Sequence, residues 1–125
     1  MRSLKQDSNN LIVNLSFQFA IQVVSFTEQL EIDRKYNLAK QLFRCGTSIG
    51  ANVREAQGAE SMGDFIHKIK VAYKEAEETR YWLDICLASE NYLKPKQLRV
   101  DIESMIRILA KILITSIHKK STLTP

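Results

Sequence analysis

Apolar residues along this chain recur at steps of three and four over four stretches, separated by short polar joints. In the first, spanning about 8–31, Ile12, Ser16, Phe19, Val23, Phe26 and Leu30 follow the rhythm of a helix-bundle seam, with Phe17, Ile21 and Val24 as a second apolar line beside it. The second, about 37–60 with Asn37 as its N-cap, carries Leu38, Leu42, Cys45, Ile49, Val53 and Ala56. The third, about 62–90, is opened by Ser61 as cap, with Asp64 returning the hydrogen bond. Its core line is Phe65, Ile69, Ala72, Ala76, Thr79, Leu83 and Cys86, while Ile66, Tyr73 and Tyr81 fall on a neighbouring face. Pro95 begins the fourth, about 95–120, whose seam is Leu98, Ile102, Met105, Leu109, Ile112 and Ser116. Lys74 with Glu78, and Arg80 with Asp84, have the spacing of ion pairs along one helix. The tail from Ser121 to Pro125 reads as frayed. Four long helices, short joints and no strand pattern predict an all-α fold: one antiparallel up-down-up-down four-helix bundle over 1–125.

Two features of the pattern ask for more than a bundle core. Gly46 and Gly50 lie inside the second helix, where each costs about 1 kcal/mol relative to alanine. Their spacing predicts a close crossing with another helix backbone. Asn52 and Glu55, beside this small-residue face, are expected in a polar cluster near the end of the bundle, with Arg54 as a partner. The second feature is surplus apolar surface: the second stripe of helix one, and Ile106, Ile108, Leu113, Ile114 and Ile117 on helix four. A helix apolar on more than one face has to be covered, and self-association is the reading that follows.

Composition narrows the function more by exclusion than by signal. Gln18, Gln22, Glu28 and Gln29 interrupt the most apolar early segment, so no membrane span is expected. Asp7, Ser8, Asn9 and Asn10 stand where a secretory core would lie. Cys45 and Cys86 sit in apolar registers and read as buried reduced thiols, which suits a cytoplasmic setting. His67 and His118 are on separate helices without metal-ligand spacing, and no metal or cofactor is expected. Glu55 with Glu60, or Glu75 with Glu77 and Glu78, lack the Glu-x-x-His partners of a carboxylate di-metal bundle and read as a solvated face. No catalytic residue stands out, and the chain does not read as an enzyme.

Charge is the positive indication. The net charge is +4 and the isoelectric point about 9.1, but the excess is concentrated late in the chain. Lys94, Lys96, Arg99, Arg107, Lys111, Lys119 and Lys120 face only Asp101 and Glu103 over the last helix. Clustered cations on a rigid helix attract phosphates and release their counterions. The expected contacts are Arg107, Lys111, Lys119 and Lys120, then Arg99 and Lys68. The plainer reading is a solubilising face whose terminal cations suit the helix dipole.

The segment Tyr36, Leu38, Gln41, Arg44, followed by Ser48-Ile49-x-Ala51-Asn52-x-x-Glu55, then Ser61, Phe65 and the run from Ala76-Glu77 to Tyr81-Trp82-Leu83, resembles the family of 23S rRNA intervening-sequence proteins. The Ser-Ile-x-Ala-Asn-x-x-Glu run is the most specific part. The resemblance implies an antiparallel four-helix bundle that assembles into a ring, a pentamer, with a basic surface for RNA. It implies a bacterial protein, encoded within a ribosomal RNA gene or free-standing. Ser48, Ala51, Asn52, Glu55, Ser61 and Phe65 carry the family pattern as structural residues. The chain departs from that pattern at Gly50, where proline is frequent, and at Lys94, where a serine-type cap is usual. Two functional readings follow: a non-enzymatic ring that binds RNA or DNA, and an interaction scaffold whose charge is incidental.

Overall fold

The computed structural model describes residues 4–123. Four helices follow one another: α1 (Leu4–Ile32), α2 (Tyr36–Ala56), α3 (Met62–Ala88) and α4 (Lys96–Leu123). Each packs against its chain neighbours, and α4 returns to α1 in a looser contact, so the helices form a square around one core. This is the arrangement that short joints impose on consecutive long helices.

Periodicity placed the core lines of α2, α3 and α4 residue for residue, all of them buried. Ile106 and Leu113, read as surplus, are also buried in the bundle. In α1 the seam differs at one position. Thr27 is buried where Phe26 was expected, and Phe26 packs at the edge of the core. The threonine can occupy the interior because its hydroxyl donates to the Val23 carbonyl at 2.8 Å, leaving no unpaired polar group. Ser16 and Thr79 are buried on the same terms, donating to the carbonyls of Val13 and Glu75.

Helix ends depart further from expectation. Helix α1 closes with Arg34 in the left-handed region at φ 63°, its N–H donating to Glu31 O and that of Lys35 to Leu30 O. This is a Schellman closure with arginine where glycine is usual. The tight turn starts α2 at Tyr36, with Lys35 at the cap position and no side-chain cap, so Asn37 lies inside the helix. Helix α2 stops at Ala56, short of Glu60, and Gln57 carries on into the turn. Ser61 caps α3 as expected, its hydroxyl accepting from the Asp64 N–H at 3.0 Å. Asp64 returns a bond to the N–H of Glu60 at 3.3 Å, one residue before the cap. The end of α3 is held by Lys94, whose ammonium donates to the carbonyls of Leu87 and Ser89. A cation there satisfies orphan carbonyls and meets the negative end of the helix dipole, which accounts for lysine at this position. The buried Pro95 precedes the first residue of α4 and its carbonyl accepts from Arg99. Helix α4 continues through Ser121 to Leu123, where fraying was expected; residues 124 and 125 lie outside the described residues.

The glycine pair marks a close approach of α1 and α2. A Cβ on Gly46 would stand 2.9 Å from a Val23 methyl, and one on Gly50 would stand 3.2 Å from the Ser16 carbonyl oxygen. The α1 backbone runs against this face of α2, as the spacing predicted.

Candidate nucleic-acid interface

The interface is built from α4 outward. Its buried line, Leu98 to Ser116, fixes the helix rotation, so Arg107 and Lys111, one turn apart, project on the opposite side and are exposed. Among the described residues neither forms an ion pair, and the same holds for the exposed Lys119. Lys120 folds back: its Nζ stands 3.2 Å from where a Cβ on Gly63 would sit, over the first turn of α3.

Arg99 and Lys68 are committed elsewhere. Arg99 Nε donates to Asp84 Oδ1 at 2.6 Å, and a terminal nitrogen of the same guanidinium donates to Glu103 Oε1 at 2.9 Å. Its pKa is raised, chiefly by the hydrogen bond to Asp84. Arg80 reaches Glu103 from α3 at 3.0 Å, and the two arginines hold the Glu103 carboxyl below the usual glutamate range, Arg99 contributing most. Lys68 Nζ lies 3.7 Å from Glu55 Oε2, across the α2–α3 boundary. Of the six expected contacts, Arg107, Lys111 and Lys119 therefore present charge without an internal counterion. The i,i+4 pairs expected along α3 do not form. Glu78 turns to Arg44 of α2, and Asp84 to Arg99 of α4, so these carboxylates join helices.

The family-pattern residues resolve into local roles. Ser48 donates to the Arg44 carbonyl, and Asn52 donates through Nδ2 to the Ser48 carbonyl at 2.9 Å, so both hydrogen-bond within α2. Glu55 pairs with Lys68, and Arg54 lies over the Phe17 ring at 5.1 Å. Asn52, Arg54 and Glu55 therefore form no shared polar cluster. Ala51 and Gly50, with Thr47 and Arg54, face Val13, Phe17 and Ala20 across a shallow apolar groove between α1 and α2. Phe65 is buried in the core.

Arg44 is the hub of the α2–α3 boundary. It binds Glu75 at 3.4 Å and also Glu78, which in turn accepts from the Trp82 indole N–H at 3.0 Å. Burial raises the Glu75 pKa against the opposing pull of Arg44. These are the carboxylates that a metal reading would have used; here they serve arginine. Among the described residues no three His, Cys, Asp or Glu side chains come together as a metal site. Cys45 and Cys86 are both free thiols, and burial pushes Cys45 up to about 11. Cys86 is raised for the same reason, and its thiol lies 3.1 Å from the Leu93 carbonyl.

One reading from composition needs amending. The segment Leu11–Ile32 is long and apolar enough to cross a membrane by length and composition, despite its glutamines. In this fold its seam is buried in the bundle and Phe17 and Ile21 remain half-exposed.

A family model described as 23S rRNA-intervening sequence protein matches residues 8–115. The crystal structure of a protein of unknown function from the S23 ribosomal protein family of Bacteroides thetaiotaomicron is similar at 37% identity and a TM-score of 0.79. That match covers 85% of this chain and 97% of the other. No curated protein matches.

Proposed function

The chain belongs to the 23S rRNA-intervening sequence protein family, and from that membership we propose a non-enzymatic, cytoplasmic bundle that binds RNA or DNA through the outer face of α4. The observation that carries this reading is the division among its cations. Arg99, Lys68 and Lys94 are taken up by carboxylates or carbonyls, whereas Arg107, Lys111 and Lys119 are exposed and form no ion pair among the described residues. Unpaired cations on a rigid helix gain most by meeting phosphates, because counterion release drives the contact without sequence readout.

The binding is proposed to be sequence-tolerant and to act in a symmetric homo-oligomer, a pentamer. Each subunit would repeat the basic stripe, and avidity rises without a new type of contact. Retention of labelled RNA and DNA across a salt series tests it. Replacing Arg107 and Lys111 together by Gln should lower the log–log salt slope by roughly 1.4 on single strands, or 1.8 on duplex DNA, per subunit engaged. Absence of retention at low salt would overturn the reading. The protein-scaffold alternative would then take its place, with the apolar α1–α2 groove as its supporting feature.

A further inference from the structure

The Arg80–Glu103 and Asp84–Arg99 pairs set the register between α3 and α4, and that register fixes which α3 residues share a height with the α4 cations. Continued along the two antiparallel helices, that register brings Arg107 level with Ala76 and Lys111 level with Ala72. On the outer side of α3 at these levels stand Lys70 and Lys74, exposed and without an ion pair among the described residues. The acids along the same seam are already engaged: Arg80 and Arg99 hold Glu103, Asp84 accepts from Arg99, and Glu77 lies 3.9 Å from Arg80. Four cations without an ion pair among the described residues thus stand at matching heights on the outer sides of α3 and α4.

Further along α3 is Tyr81, two helical turns from Lys74 on the same side of the helix. Tyr81 is 60% exposed, so its side chain is open to a ligand. It is also braced. Trp82 meets it edge-on at 5.3 Å between centroids, and Trp82 is anchored by its indole hydrogen bond to Glu78. A fixed, exposed ring beside a track of cations is the arrangement on which an unpaired base stacks while neighbouring phosphates are neutralised. A duplex keeps its base faces stacked internally and would leave the ring unused. Lys70 to Tyr81 spans about 16 Å along the helix axis, room for a few nucleotides.

We propose that the α3–α4 seam is a binding track for single-stranded nucleic acid, with Lys70, Lys74, Arg107 and Lys111 on its phosphates and one base stacked on Tyr81. The proposal rests on the nucleic-acid reading above and adds both the strandedness and the second helix.

Fluorescence anisotropy with an unstructured labelled RNA, and with the same RNA annealed to its complement, tests it. The wild-type protein should bind the single strand more tightly than the duplex. Tyr81→Leu should weaken single-strand binding about tenfold with the salt slope and duplex binding unchanged, and Tyr81→Phe should restore it. Lys70→Gln with Lys74→Gln should flatten the slope as the α4 pair does. If Tyr81→Leu or the α3 pair leaves single-strand binding unaltered while Arg107→Gln with Lys111→Gln still weakens it, the track is overturned and the α4 reading stands. If the wild-type protein retains neither RNA at low salt, both fall.

Discussion

Gly46 and Gly50 leave α2 without side-chain bulk at the point where α1 crosses it, and the two positions oppose different groups. Gly50 faces the Ser16 carbonyl, which belongs to a helix backbone, while Gly46 faces both methyls of the fully buried Val23. A β-branched side chain in a helix has little freedom to turn aside. Gly46→Leu is therefore expected to destabilise the bundle by about 1–3 kcal/mol as overpacking, outweighing the gain of about 1 kcal/mol from removing a helix glycine. Urea denaturation measures the balance, and a raised midpoint would show the crossing to be looser than these distances imply. The same pair shows what a sequence can disclose. Two glycines one turn apart on the apolar side of a helix announce a close neighbour, but not that the neighbour is α1 or that Val23 fills the gap.

At the scale of helices, the legible part was each helix's rotation together with the Ser61 cap of α3, and the illegible part was the other ends and each helix's register with its neighbours. Repeats of three and four define a face whatever packs on it, so Leu38 to Ala56, Phe65 to Cys86 and Leu98 to Ser116 could all be assigned from spacing. Thr27 could not, because its burial depends on a hydroxyl bond to Val23 that competes with solvation. Nor could the ion pairs: Arg80 and Asp84 have ideal i,i+4 spacing, yet each finds its main partner on α4. Glu103 concentrates that interhelix link, and its lowered pKa carries a pH signature. A carboxyl whose native value lies below its unfolded one stabilises the fold above the unfolded value, and this is lost as pH falls through the native one. The hydrogen bonds from Arg99 and Arg80 place Glu103 in this class. Glu103→Gln should therefore be less stable than the wild type at neutral pH, with the gap closing below the ordinary glutamate value of 4.5. Denaturation midpoints of both proteins at pH 7 and in the acid range measure this. A gap of the same size at both would remove the ionic account of the α3–α4 link.

For the whole molecule, the outstanding matter is what covers the apolar surface that four helices do not bury. Helix α4 buries Ile106 and Leu113, so its surplus reduces mainly to Ile114, 70% exposed, and Ile117. Helix α1 keeps Leu11, Phe17 and Ile21 substantially exposed, and Phe43 of α2 is exposed too. Scattered apolar residues are ordinary on a monomer, but here Phe17 lines the α1–α2 groove while Ile114 stands on the outer side of α4, so exposed apolar surface lies on two separate sides of the bundle. Two different apolar sides on one chain suit head-to-tail contacts, in which one side of each copy meets the other side of the next and rotation closes a ring. Light scattering at micromolar concentration should give a mass several times 14.4 kDa, fivefold for the proposed pentamer, and a monomer mass would rule the assembly out. Ile114→Glu and Phe17→Glu probe the two sides separately. In a head-to-tail ring both should lower the mass while helicity by circular dichroism is retained, since neither side chain belongs to the buried core. A change confined to one variant would point instead to an isologous pair built on that side alone.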